Sequence, residues 1–202
     1  MNLPNKITLS RICMIPVFVA VFYCGYLSEW CFLASAGVFL LAALTDALDG
    51  HIARSRNLVT NLGKFLDPIA DKVLVSTAFI VMLTVPTAFA VYPFGAYGVM
   101  AAGICIALIL ARELIVSGFR IIAAGRNLVL AADKLGKIKT TLQDISIAFL
   151  LVSMSFVTKT GDMKTAGEII AYIGLVCFVL CTVLTVVSGV NYLIKNKEVL
   201  KG

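Results

Sequence analysis

Asp46-Ala47-Leu48-Asp49-Gly50-His51-Ile52-Ala53-Arg54, followed after eight residues by Gly63-Lys64-Phe65-Leu66-Asp67-Pro68-Ile69-Ala70-Asp71, lies between two apolar stretches of the chain. Four of the chain's eleven acids fall in it, at helical spacing. Asp46 and Asp49 stand about 60° apart around a helix and about 4.5 Å along it; Asp67 and Asp71 stand about 40° apart and about 6 Å along. Each pair therefore shares a face. Two antiparallel helices joined by a short turn can bring the two faces together, and the fold follows from asking what surrounds such a hairpin.

Its surroundings are lipid. Of the 202 residues 60% are hydrophobic and 14% charged, against about 45–50% and about 25% in soluble domains. The mean hydropathy of +1.00 agrees. A soluble domain, a disordered chain and a coiled coil are excluded on composition. Six cysteines scattered through apolar runs, with no CxxC and no zinc spacing, exclude a disulfide scaffold and read as reduced filler.

Charge-free runs measure the spans, each needing about 20 apolar residues. The first is Ile12–Ser28, with Pro16 inside it, and the second runs from Trp30 to Asp46. Val73–Ala111 is 39 residues, too long for one helix, and Pro86, Pro93, Gly95 and Gly98 divide it. Ile138–Thr158 and Ile169–Ile194 complete an all-α domain over 1–202 with six transmembrane helices. Residues 1–11 read as a short interfacial helix, with Leu3, Ile7 and Leu9 toward lipid and Asn5, Lys6 and Arg11 toward water. No cleavable signal peptide is expected.

Fifteen of the seventeen Lys and Arg residues fall in the N-terminal segment, the 54–72 and 112–139 regions and the tail. This asymmetry places both termini, and the acidic hairpin, on the cytoplasmic side of the cell membrane. The net charge of +6 is accounted for by topology and anionic headgroups, with no nucleic acid.

Four carboxylates close to lipid repel one another and cost roughly 2.5–3.5 kcal/mol each at the bilayer centre, less near its boundary. Divalent cations neutralise them better than lysine does. Oxygen ligands with no Cys and a single His favour Mg²⁺ or Mn²⁺. Four Asp suffice for two ions, an arrangement suited to clamping a phosphoryl group during in-line displacement. Gly63 lies one turn before Asp67, Ala53 one turn after Asp49, and Gly50 beside them, leaving room next to the ions; Arg54 offers a cation to a phosphate there.

Asp46-x2-Asp49-Gly50-x2-Ala53-Arg54-x8-Gly63-x3-Asp67-x3-Asp71 resembles the complete signature of the CDP-alcohol phosphotransferase family, whose six-helix membrane fold agrees with the count of runs. Pro4-Asn5 with Thr8 and Arg11, Asp67-Pro68-x-Ala70-Asp71-Lys72, Arg112-Glu113, Arg120 and Gly136-Lys137-x-Lys139-Thr140 resemble the bacterial members that use sn-glycerol 3-phosphate. The resemblance implies that CDP-diacylglycerol and sn-glycerol 3-phosphate give phosphatidylglycerophosphate and CMP. It further implies that Asp46, Asp49, Asp67 and Asp71 hold two divalent cations on the diphosphate, with Asp71 as general base. Gly50, Ala53, Arg54, Gly63, Asn5 and Thr8 are then expected to bind CDP, and a homodimer is expected.

The acceptor carries its own phosphate and needs cations. Arg112 and Arg120 are eight residues apart, about 80° around a helix and about 12 Å along it. With Lys137 and Lys139 they form the expected acceptor-phosphate set. Arg112 follows the 39-residue uncharged run, and an intramembrane arginine faces a cavity or a partner; pairing with Glu113 is the ordinary alternative. Asp133 and Asp144 read as loop and helix-end charges. Other acceptors within the family (inositol phosphate, serine, phosphatidylglycerol) and, from a different class, a cation transporter with broken helices remain competing readings.

Overall fold

A computed structural model describes residues 3–55, 61–89, 95–125, 134–156 and 159–196, with side chains from 8–45, 69–89, 95–123, 136–156 and 159–196. Among the described residues six α-helices follow one another: α1 (Leu3–Tyr23), α2 (Trp30–Ser55), α3 (Asn61–Leu83), α4 (Gly95–Gly125), α5 (Lys134–Met154) and α6 (Asp162–Lys195). Among the described residues there is no strand. Single 3₁₀ turns at Cys24–Tyr26 and Pro86–Ala88 follow α1 and α3. Pro86 ends the third apolar run as expected, with Val85 forced extended before it. Gly95 opens α4 at φ +47°, a backbone state that favours glycine. Pro93 lies outside the described residues.

Among the described residues three stretches are long and apolar enough to cross a membrane, Thr8–Tyr26, Gly95–Ala123 and Asp162–Lys195, and Trp30–Thr45 is a shorter apolar piece. Charged motifs stand at one end of each of α2, α3 and α5. α2 ends in the Asp46–Arg54 signature, α3 begins with Lys64, Asp67, Asp71 and Lys72, and α5 begins with Lys134, Lys137 and Lys139.

α6 is apolar on its outer side and mostly small or polar on its inner side. On α6 the buried positions are Gly167, Ala171, Gly174, Phe178, Cys181, Thr182, Thr185, Ser188, Gly189 and Tyr192, a single helical stripe. On its opposite side Val176, Val179, Val183, Val187 and Val190 are each more than 50% exposed. Water would reverse this order; lipid tails, as apolar as valine, leave close packing of small residues to hold helices together. α5 and α6 make the most extensive contact. At Gly174 a Cβ would lie 3.0 Å from Leu150 Cγ and 3.2 Å from the Leu150 backbone nitrogen.

α1 is continuous from Leu3, so no break separates an interfacial segment from the first span. Arg11, expected to face water, is fully buried, while Leu9 is 43% exposed. Thr8, Arg11, Ile15, Phe18 and Phe22 recur at three- and four-residue spacing and are all buried. The apolar members dock this face on α2 and α3, and a helix without a break carries Arg11 inward with them. At that far end of α1 rings pack closely: Phe22 lies 5.4 Å from Phe32, and Phe79 and Phe89 lie 5.4 and 5.5 Å from Phe178. Gly25 admits the Phe32 ring where a Cβ would come within 2.3 Å of it. Lys159 pairs there with Glu29 and lies 5.6 Å from the Trp30 ring centroid.

Gly174→Val should overpack the α5–α6 seam by about 1–3 kcal/mol, lowering the melting temperature in detergent by about 3–10 °C. Val183→Ala on the lipid side should shift it by about 1 °C or less.

Candidate active site

At the end of the bundle opposite the aromatic cluster, α3, α4, α5 and α6 enclose a cavity of about 310 Å³. Asp71, Arg112, Arg120, Lys137 and Lys139, all expected site residues, line it together. Lys72, Glu113 and Asp144 line it too, so five cations face three acids. Such a surface draws anions into a confined, partly desolvated space.

Glu113 organises the cations. Its Oε1 accepts a hydrogen bond from Lys139 Nζ, and its Oε2 lies 3.8 Å from Lys72 Nζ. Lys72 Nζ also donates to Ser117 Oγ, and Ser117 Oγ donates to the Glu113 backbone carbonyl at 2.5 Å. The Lys139 side chain is 1% exposed and that of Glu113 17%. Lys139 is thus a buried charge with a partner, not an ordinary loop charge. Lys72, one residue outside the third apolar run, has its ammonium pKa lowered by burial and by Arg120, with Asp71 opposing.

α6 holds the two arginines. Arg112 Nη2 donates to Ser188 Oγ at 3.0 Å. The Arg112 stem crosses α6 at Gly189, where a Cβ would come within 2.8 Å of Arg112 Cγ. One turn further, the Arg120 guanidinium carbon lies 5.9 Å from the Tyr192 ring centroid, within reach of a cation–π contact.

Of the signature, Asp46, Asp49, Gly50, Ala53 and Arg54 fall in the last turns of α2, and Gly63, Asp67 and Asp71 in the first half of α3. Except for Asp71, their side chains lie outside the described residues, as does that of Asn5. Thr8 is buried on α1 and is not part of the cavity lining. α2 and α3 run unbroken through the acid positions, unlike the discontinuous helices of ion transporters. Among the described residues no three metal-ligating side chains cluster. The cavity wall offers oxygen donors such as Asp71, Asp144 and Thr140, and neither His nor Cys lines it; this donor set suits a hard divalent cation.

Asp144 lies well inside α5, not at a helix end, and lines the cavity. Gln143, Tyr192 and Ser188 had no place in the expected site. A signal for the α5 residues does exist: Gly136, Lys139, Thr140 and Gln143 form a polar stripe at helical spacing running into an apolar segment, and polar residues in a span face a cavity or a partner.

The sequence pattern of the CDP-alcohol phosphatidyltransferase family matches residues 1–187. A Bacillus subtilis protein named CDP-diacylglycerol–glycerol-3-phosphate 3-phosphatidyltransferase is 38% identical over 213 residues, covering 99% of this chain and 97% of its own. Proteins of the same name from Rickettsia bellii and Salmonella typhimurium are 37% and 34% identical, each covering 95% of this chain and 93% of its own.

Glu113→Gln should leave Lys139 buried without its counter-charge. The expected cost is about 3–5 kcal/mol, a fall of about 10 °C in melting temperature. Adding Lys139→Met should restore a large part of it, and a double-mutant cycle of melting curves measures the coupling.

Proposed function

Because the chain belongs to the CDP-alcohol phosphatidyltransferase family, we propose that it transfers the phosphatidyl group of CDP-diacylglycerol to sn-glycerol 3-phosphate, releasing CMP and phosphatidylglycerophosphate. The observation that carries the choice of acceptor is the cavity in which Asp71 meets Arg112, Arg120 and Lys137. A phosphate-free acceptor such as serine gives no reason for so many cations beside the acid.

The primary hydroxyl of glycerol 3-phosphate attacks the phosphorus that carries the diacylglycerol. A new P–O bond forms in line as the bond to CMP breaks, and the hydroxyl proton passes to Asp71. Arg112, Arg120 and Lys137 hold the acceptor's phosphate, with the arginine forks suited to two oxygens each. Lys139, engaged by Glu113, contributes its field from behind. Fixed cations offset the repulsion between two anionic substrates and hold the nucleophile in place, which accounts for much of such a reaction's acceleration.

Asp46, Asp49, Asp67 and Asp71 would hold two divalent cations, Mg²⁺ or Mn²⁺, which when bound neutralise the diphosphate and the charge that spreads over the transferred group. Gly50, Ala53 and Gly63 leave room for the nucleotide, and Arg54, Asn5 and Thr8 complete its site. The crowding of Lys and Arg at the site's end supports a cytoplasmic active site and cytoplasmic termini in a multi-pass protein of the cell membrane. The homodimer rests on the family resemblance.

CMP release from CDP-diacylglycerol in mixed micelles should require both glycerol 3-phosphate and a divalent cation, and should stop on chelation. Release driven equally by serine, inositol phosphate or phosphatidylglycerol would replace the acceptor assignment. Asp71→Asn should lower kcat by about 1,000-fold or more while CDP-diacylglycerol binding persists. Arg112→Gln and Arg120→Gln should each raise the KM for glycerol 3-phosphate by about 10- to 100-fold and leave the KM for CDP-diacylglycerol within about threefold.

A further inference from the structure

Tyr192 carries a chemical demand that its surroundings do not meet. The residue is 4% exposed and lines the cavity. Its hydroxyl is buried and, among the described residues, has no hydrogen-bond partner. A buried phenol left unpaired is costly, and folded proteins rarely leave one so. Arg120 lies against the ring face, and a guanidinium, which donates hydrogen bonds but accepts none, cannot take the phenol's own proton. Lysine ammonium groups are equally donors only. An oxygen brought in by a ligand would satisfy the phenol.

Gln143, 4% exposed on α5, lines the same cavity. Tyrosine hydroxyl and glutamine amide are uncharged, and each both donates and accepts. A phosphate dianion asks for donors alone, and the arginines and Lys137 supply them. An alcohol asks for one donor and one acceptor, which is what Tyr192 and Gln143 offer. In the reaction proposed above, on which this step rests, Asp71 serves the attacking primary hydroxyl and the cations serve the phosphate. One polar group of the acceptor is left over, its secondary hydroxyl.

We infer that Tyr192 and Gln143 form an uncharged subsite that binds the secondary hydroxyl of glycerol 3-phosphate and so determines acceptor specificity. Tyr192 does this while its ring keeps Arg120 over the cavity, so hydroxyl recognition and phosphate binding are coupled through one side chain. Sites built to bond a substrate hydroxyl discriminate strongly against analogues lacking it, because their own polar groups are then left unpaired.

The test compares glycerol 3-phosphate with 3-hydroxypropyl phosphate, which keeps the primary hydroxyl and the phosphate but lacks the secondary hydroxyl. CMP release by the unmodified full-length enzyme in CDP-diacylglycerol micelles is measured first; no release with glycerol 3-phosphate would defeat the underlying reaction, not the subsite. With that activity present, the unmodified enzyme should prefer glycerol 3-phosphate in kcat/KM by about 10-fold or more. Tyr192→Phe keeps the ring under Arg120 and should erase a large part of that preference, by slowing glycerol 3-phosphate alone. Gln143→Leu should do the same by a separate route, and melting curves of both variants verify folding. A preference unchanged in both variants, or an equal loss with both acceptors, would overturn the inference, the latter by making Tyr192 a phosphate contact.

Discussion

Glu113 draws the ammonium groups of Lys72 and Lys139 to one carboxylate, and with them ties α3, α4 and α5 together where the bundle is most highly charged. Burying a lysine as deeply as Lys139 is tolerable only beside an opposite charge. Once the acid is in place its two partners are largely committed to it. The positive character open to a ligand is then set by Arg112, Arg120 and Lys137, and the arginines are aimed by α6 through Ser188 and the Tyr192 ring. Gly189 belongs to the same arrangement, since any larger residue would meet the Arg112 stem. The cavity is thus held open by contacts among charged and small residues, with apolar packing a few turns away.

Those few turns divide the molecule into two ends. Toward Tyr23 and Trp30, rings from α1, α2, α3 and α6 close the bundle, and the ion pair Lys159–Glu29 lies beside the Trp30 ring. Toward Asp71, charged and polar side chains of α3, α4 and α5 predominate in the cavity wall, and α6 adds the Tyr192 ring. α4 and α6 have 31 and 34 residues, about 46 and 51 Å long against a hydrocarbon core of about 30 Å. Their length lets one helix serve as a lipid-crossing rod and, at its end, as a wall of an aqueous site.

Much of this was legible in the chain. The six helices follow from charge-free runs and the break between α3 and α4 from Pro86; of the four acids in the signature, only the Asp71 side chain lies among the described residues. The grouping of Arg112, Arg120, Lys137 and Lys139 followed from the charge an acceptor phosphate requires. What sequence did not give was direction around each helix and choice of partner. Arg11 is turned inward by Ile15, Phe18 and Phe22, which dock its helix. Glu113 adjoins Arg112 in sequence yet bonds Lys139 from another helix, because neighbouring helical residues point about 100° apart. Nothing in the sequence singles out Tyr192, since an aromatic residue near a helix end is usual at membrane boundaries; only the contact with Arg120 and the cavity beside it mark it out.

On the proposed reading the two halves of the site meet at α3. Positions 67 and 71 lie on the helix that pairs in sequence with the acid-bearing end of α2, and Asp71 also reaches the cavity walled by α4, α5 and α6. On the proposed reading the lipid nucleotide belongs to the acidic half and the acceptor to the basic half, with Asp71 where they join. Both substrates are anions that repel as they approach, so bringing them together is itself part of the barrier. A site walled by helices suits that task better than one on loops, because helix-borne side chains keep the sub-ångström placement that in-line attack demands. The neutralising charges are thereby fixed before either substrate arrives, and little reorganisation is left to the moment of transfer.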